Sequence, residues 1–174
     1  MATATLPSTA EIWHWLDEVP DPEIPVISVV DLGIIRAVRW EGETLVVTVT
    51  PTYSGCPATA VINLDIEQTL REKGVAKLRF ERRLSPAWTT DWISAEGREK
   101  LRRYGIAPPV DGAASDAMLR QRSARLSGRS DPIIACPQCG STKTEKISQF
   151  GSTPCKASYR CTDCLEPFDY FKCI

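Results

Sequence analysis

Six of the chain's seven cysteines fall within residues 136–173, and four of them form two pairs of the same spacing: Cys136-Pro-Gln-Cys139 and Cys161-Thr-Asp-Cys164, with 21 residues between. Two such knuckles can bring four thiolates to the corners of a tetrahedron, which suits zinc at about 2.3 Å per sulfur. Gly140, directly after the first knuckle, lets the backbone turn so that amides point at the sulfurs. The pattern is that of a zinc ribbon; an iron–sulfur cluster or a redox dithiol is the other use of such thiols. Cys155 and Cys173 lack knuckle spacing. Each is either a small buried hydrophobe or a ligand of a second or transient metal site.

Cys56 stands alone upstream, in Tyr53-Ser54-Gly55-Cys56-Pro57, between an expected strand and an expected helix. Unpaired N–H groups at a helix start favour a thiolate, and Thr50, Thr52 and Ser54 bring hydroxyls to the same turn. A sulfur there is a nucleophile, a ligand for a metal in transit, or a packing group behind the turn. His14 is the single histidine, so one chain holds no multi-histidine metal site. Any Cys–His catalytic pair would rest on it alone. Flanked by Trp13 and Trp15, it reads as a helix-surface residue.

These groups need elements to place them. Residues 8–19 read as a helix: Ser8 and Glu11 have capping-box spacing, and Ile12, Trp13, Leu16 and Val19 share a face. The proline-rich stretch 20–25 cannot be regular structure. Residues 34–40 and 44–50 read as a hairpin. A helix over 58–73 follows, closed by Gly74, and alternation over 75–84 predicts a third strand. The order α-β-β-α-β predicts a small α+β domain with helices on one face of a sheet. Residues 88–104 read as helical or turn-rich, with Trp88 and Trp92 stacked on one helix face, in a core or as an anchor for a partner. The proposed organisation is a first domain at 1–106, a linker at 107–131 with a short turn near Met118 and Leu119, and a ribbon at 132–174. The ribbon is too small to hold together without a staple.

Net charge is −1 overall but uneven along the chain: residues 1–97 carry −6, residues 98–130 carry +5 and the rest balances. The basic stretch lacks interleaved aromatics, so a solvated face is expected there rather than a nucleic-acid surface. No apolar run approaches the roughly 20 residues of a membrane span, and the first residues lack the pattern of a secretory signal. A cytoplasmic setting is expected, where paired cysteines favour metal over disulfides.

The segment DPEIPVISVVDLGII (21–35), the hairpin and the loop TPTYSGCPAT together resemble the SufT-like domain family, small α+β domains tied to iron–sulfur protein maturation. That likeness implies a site of Asp21, Glu23, Asp31 and Cys56 with Thr52 nearby, handling iron or a cluster. More of the chain, through PAWTTDWIS, REKLRRYGIAPP and the cysteine-rich tail, is similar to the D-protein family of bacterial phenylacetyl-CoA epoxidase systems. The stretch MLRQRSARLSGRS departs from it. The resemblance implies phenylacetate catabolism beside a multicomponent di-iron epoxidase, not the oxygen chemistry itself. The chain has neither the Glu-x-x-His pairs of a di-iron bundle nor a G-x-G-x-x-G loop. A non-enzymatic maturation or assembly factor is therefore expected, with a structural zinc in the ribbon and the ferredoxin-type reductase component as client. A second copy of the chain is a further candidate partner. The rival readings are a stoichiometric structural subunit, a cysteine-nucleophile enzyme and a nucleic-acid-binding ribbon.

Overall fold

The computed structural model describes residues 6–110 and 133–172. It divides into two compact units, Met1–Trp88 and Thr89–Ile174. Among the described residues, no helix is long and apolar enough to cross a membrane.

In the first unit, α1 (Thr9–Asp17) starts from the expected capping box: the Glu11 amide donates to Ser8 Oγ at 3.2 Å and the Ser8 amide to Glu11 Oε2 at 2.8 Å. Its apolar stripe buries Ile12 and Leu16 completely. Strands β1 (Ile35–Glu41) and β2 (Thr44–Val49) form the hairpin around Gly42, whose φ of 60° suits glycine. Helix α2 (Ala58–Glu72) buries Ala58, Ile62, Ile66 and Leu70, one residue per turn on one face. It is the crossover that lets β3 (Lys77–Arg82) pair parallel with β2, giving the order β1-β2-β3. The α-β-β-α-β order is as the sequence implies, with ends differing by one or two residues.

Strand register gives this sheet two different faces. Trp40, Leu45 and Leu78 align on one, as do Val38, Val47 and Phe80. On the other, Arg39 and Glu41 from β1 and Arg79 and Glu81 from β3 close a ring of four ion pairs. Arg39 lies 2.7 Å from Glu81 and 3.0 Å from Glu41; Arg79 lies 2.6 Å from Glu41 and 2.9 Å from Glu81. Val46, in register between the two arginines, is fully buried, which their apolar stems make possible.

The second unit begins earlier than the sequence implies. A 3-10 turn (Thr90–Trp92) leads to α3 (Ala95–Tyr104), capped by Ser94 Oγ on the Gly97 amide at 2.8 Å and closed by Gly105 at φ 91°. Then β4 (Ile106–Ala107) pairs parallel with β7 (Pro167–Phe171), which pairs with β6 (Lys156–Cys161), and β6 with β5 (Thr144–Ser148), in the order β4-β7-β6-β5. A boundary at 106/107 would cut through this sheet, and the contacts divide the chain at Trp88 instead. Most of the expected linker, with Met118 and Leu119, lies outside the described residues. Trp88 and Trp92 do not share a helix face. Trp88 lies ahead of the short turn, 3% exposed, with its indole N–H on the Leu32 carbonyl at 3.0 Å.

The core of the second unit is built on Ile134, Tyr159, Phe168 and Tyr170 together with Cys136 and Cys161. Tyr159 stacks on Phe168 at 5.9 Å and meets Tyr170 edge-on at 5.7 Å. Beside it Lys156 has a side chain only 6% exposed, with Asp169 Oδ2 at 3.5 Å from its ammonium and the Ser152 and Ser158 hydroxyls on the same carboxylate. Removing one charge of such a pair leaves the other buried and unpaired. Asp169→Asn is expected to cost the second unit about 3 kcal/mol, with most of it regained when Lys156→Met is added. Urea unfolding of the two variants checks this.

Candidate metal centres

The four knuckle cysteines converge. Their sulfurs all lie within 4.8 Å of one another, with Cys136 and Cys164 3.7 Å apart and Cys139 and Cys161 3.6 Å apart. A tetrahedron with zinc–sulfur bonds of about 2.3 Å has edges of about 3.8 Å. The donor set therefore fits one tetrahedral ion, held by Cys136, Cys139, Cys161 and Cys164. Cys136 and Cys161 sit in the core; Cys139 and Cys164 are exposed. When bound, such an ion supplies a cross-link with no open coordination position, and hence no catalysis.

The two knuckles are one turn used twice. The Cys136 amide donates to the Ser141 carbonyl at 2.9 Å and the Cys161 amide to the Glu166 carbonyl at 3.0 Å. In each, the residue after the second cysteine is left-handed: Gly140 at φ 74° and Leu165 at φ 65°. Glycine does this freely; for a leucine it costs about 1 kcal/mol. The Cys161 sulfur accepts the Cys164 amide at 3.5 Å, and that donor, joined by the Asp163 amide, draws its thiol down to about 7.

Cys155 is buried, its sulfur 3.0 Å from the Thr153 hydroxyl, and is not part of the four-sulfur group. Cys173 lies outside the described residues.

Cys56 is half-buried. Its amide donates to the Tyr53 carbonyl at 3.1 Å, its carbonyl accepts the Thr59 amide at 3.3 Å, and the Arg82 guanidinium holds the loop through the Ser54 carbonyl. Pro57 is the N-cap of α2, and it makes no side-chain cap at that helix start. On either side of Cys56 the chain carries buried oxygens without a hydrogen-bond partner: Thr50 Oγ1 at the end of β2, then Thr59 Oγ1 and Asn63 Oδ1 on the first turns of α2. Buried polar atoms are normally satisfied. The Thr50 residue is only 1% exposed. Thr50 is visible in the sequence as a hydroxyl near the turn. Thr59 and Asn63 do not stand out there, although their spacing puts them on one helix face.

The carboxylates of the expected site are built into turns. Asp21 is buried, with Oδ1 accepting the amides of Glu23 and Ile24 at 2.8 Å each. Asp31 is buried too; its amide donates to Ser28 Oγ at 2.9 Å, and that hydroxyl donates to Asp17 at 2.5 Å. Trp88 holds the next carbonyl, that of Leu32. Glu23 and Thr52 are half-buried. Among the described residues, the knuckle cysteines are the group of three or more metal-ligating side chains close enough to share an ion, and Cys56 with Asp21, Glu23 and Asp31 does not form another. His14 is exposed, 3.8 Å from Glu18. In the basic segment, Arg98 is engaged by the carbonyls of Pro109 and Thr90 at 2.6 and 2.7 Å. Arg102 and Arg103 both bond Glu99, whose carboxyl they hold down to about 2.

An α+β domain with a cysteine loop, followed by a four-cysteine metal-binding ribbon, defines a class of two-part proteins. Residues 9–77 match the iron–sulfur cluster assembly protein family and residues 120–172 the PaaD zinc beta ribbon domain. A relative from Escherichia coli (strain K12), provisionally named as the D component among the subunits of 1,2-phenylacetyl-CoA epoxidase, is 47% identical over 174 residues, covering 100% of this chain and 98% of the relative. The chain belongs to that D-protein family. Among solved structures, the DUF59 domain of Bacillus anthracis is 26% identical with a TM-score of 0.48, covering 53% of this chain and 89% of its own. A conserved hypothetical protein of Thermotoga maritima is 27% identical with a TM-score of 0.48, covering 57% of this chain and 98% of its own.

Proposed function

We propose that this chain is a cytoplasmic, non-enzymatic maturation factor of the phenylacetyl-CoA epoxidase system. It helps insert or maintain an iron–sulfur or di-iron centre in a component of that system, the ferredoxin-type reductase first among them. Iron or a cluster is its cargo and zinc its structural metal. Cys56 takes the cargo, with Asp21, Glu23, Asp31 and Thr52 shaping the surrounding turns, and the ribbon docks the client. Full-length kinship with an epoxidase D protein supports the setting, and the match to an iron–sulfur assembly family supports the task.

The observation that carries the role of Cys56 is local. A half-exposed sulfur stands at an uncapped helix start, in a loop flanked by buried oxygens that the protein leaves without partners. A thiolate is a soft ligand suited to iron and clusters. Unused hydroxyl donors nearby can satisfy the sulfide or water that accompanies such cargo. With no N-cap side chain accepting from them, the first amides of α2 are also open to a negatively charged ligand at this sulfur.

The second reading, a structural subunit, rests on the relative's name, which places it among the subunits of the epoxidase. Native purification of the epoxidase from its own cells separates the two. A maturation factor is expected at well below one copy per epoxidase and is lost as purification proceeds. A constant one-to-one ratio through every step would establish the structural reading instead.

A further inference from the structure

The four sulfurs stand at tetrahedral spacing, yet they come from two loops, and something in the protein must hold those loops together. Three ties do so. The Thr162 amide and hydroxyl both donate to the Lys143 carbonyl, each at 2.9 Å. The Lys143 ammonium reaches Asp163 Oδ1 at 3.2 Å. The Ser141 hydroxyl donates to Asp163 Oδ2 at 2.6 Å, and its oxygen accepts the Lys143 amide at 3.1 Å.

Ser141 is the residue whose carbonyl closes the first knuckle on Cys136, and Asp163 lies inside the second, between Cys161 and Cys164. One carboxylate thus grips the closing residue of the opposite knuckle. We propose that Asp163 is a positioning residue for the metal, a clasp that presets the distance between the knuckles so that a tetrahedral divalent cation enters a formed site and leaves it slowly. It touches no metal. It acts through Ser141 and through the turn that carries Cys161 and Cys164.

Both bonds to the Asp163 carboxylate lie at the surface; the one from the Ser141 hydroxyl is charge-assisted and short, at 2.6 Å, whereas the Lys143 ammonium, 75% exposed on a flexible stem, contributes little. The ranking follows. Loss of an outer partner that orients metal ligands weakens affinity by roughly 10- to 100-fold. Asp163→Asn and Ser141→Ala are each expected to lie near the lower figure. The double variant should be hardly worse than Ser141→Ala alone, because the Ser141–Asp163 bond is already gone there and the Lys143 pair that Asp163→Asn also removes contributes little. Lys143→Met should cost less than about threefold.

The test uses the full-length zinc-loaded protein. Zinc release to an excess of a chromophoric chelator is followed well below the unfolding temperature, and the visible spectrum of the cobalt-substituted protein reports tetrahedral geometry. Asp163→Asn and Ser141→Ala should both release zinc about tenfold faster and shift the cobalt bands. Asp169→Asn, in the same unit but on β7, should lower the unfolding midpoint and leave release and spectrum unchanged. Wild-type release rates in both clasp variants would overturn the proposal. So would equally fast release from Asp169→Asn, which would show that any weakening of this unit frees the metal.

Discussion

Cys136→Ser or Cys161→Ser is expected to unfold the unit Thr89–Ile174 while leaving Met1–Trp88 folded. Both sulfurs belong to the core that contains Tyr159, Phe168 and Tyr170, with Cys161 fully buried and Cys136 2% exposed. A serine there loses a metal ligand and buries a hydroxyl at once. Structural zinc contributes on the order of 10 kcal/mol to the folding of small modules. A domain has only about 0.05–0.15 kcal/mol of net stability per residue, so that loss is as large as the whole net stability of a unit this size. The exposed ligands Cys139 and Cys164 should give the same loss of metal with less damage to packing. Limited proteolysis with mass spectrometry reads the outcome: the resistant fragment should end near Trp88. A fragment protected through Ala107 would show that α3 and β4 fold without the ribbon. Wild-type resistance throughout would show that the unit does not depend on metal.

That expected end point marks where the sequence stops being informative. Knuckle spacing, the Ser8–Glu11 capping box and the Val-rich strands are local patterns, and local patterns survive reading along the chain. The strand Ile106–Ala107 is two residues long and followed by Pro108 and Pro109, with its partner β7 near the far end of the chain. Nothing periodic announces it, so a boundary placed on composition falls inside a sheet. Trp88 looks like one half of a helix-face pair because four-residue spacing suggests a helix. Its indole instead serves the turn after Asp31. The Asp163–Ser141 bond is equally silent: both residues are ordinary surface types until the two knuckles face each other.

The candidate site around Cys56 is legible in part for the same reason. The cysteine, its loop and the following helix are contiguous and readable. The buried carboxylates are not, since Asp21 and Asp31 could be ligands or turn builders on sequence alone. The structure places Asp21 Oδ1 on two backbone amides, the arrangement of an aspartate that builds its own turn. Under the proposed function, the sulfur of Cys56 is therefore the group to test.

Cys56→Ser is the change that tests it. Serine keeps the size of the side chain and leaves the turn bonds of the residue's backbone to Tyr53 and Thr59 intact. A half-buried sulfur-to-oxygen exchange in a loop costs little packing, so the first unit should unfold at a midpoint within about 0.5 kcal/mol of wild type. The chemistry changes far more, because a soft thiolate becomes a hard hydroxyl that hardly ionises. Cells carrying only this variant should make epoxidase and reductase proteins that are normal in amount but deficient in iron, with activity at least about tenfold down. Epoxidase matured in wild-type cells and then purified free of this chain should keep its activity, since a factor is not needed once the metal is in place. A structural subunit behaves in the opposite way: the serine variant assembles and works, and stripping the chain from finished enzyme abolishes turnover. Iron content by elemental analysis, beside growth on phenylacetate, reads both arms. Full iron loading and normal growth with Cys56→Ser would remove that sulfur from the mechanism, whatever the ribbon does.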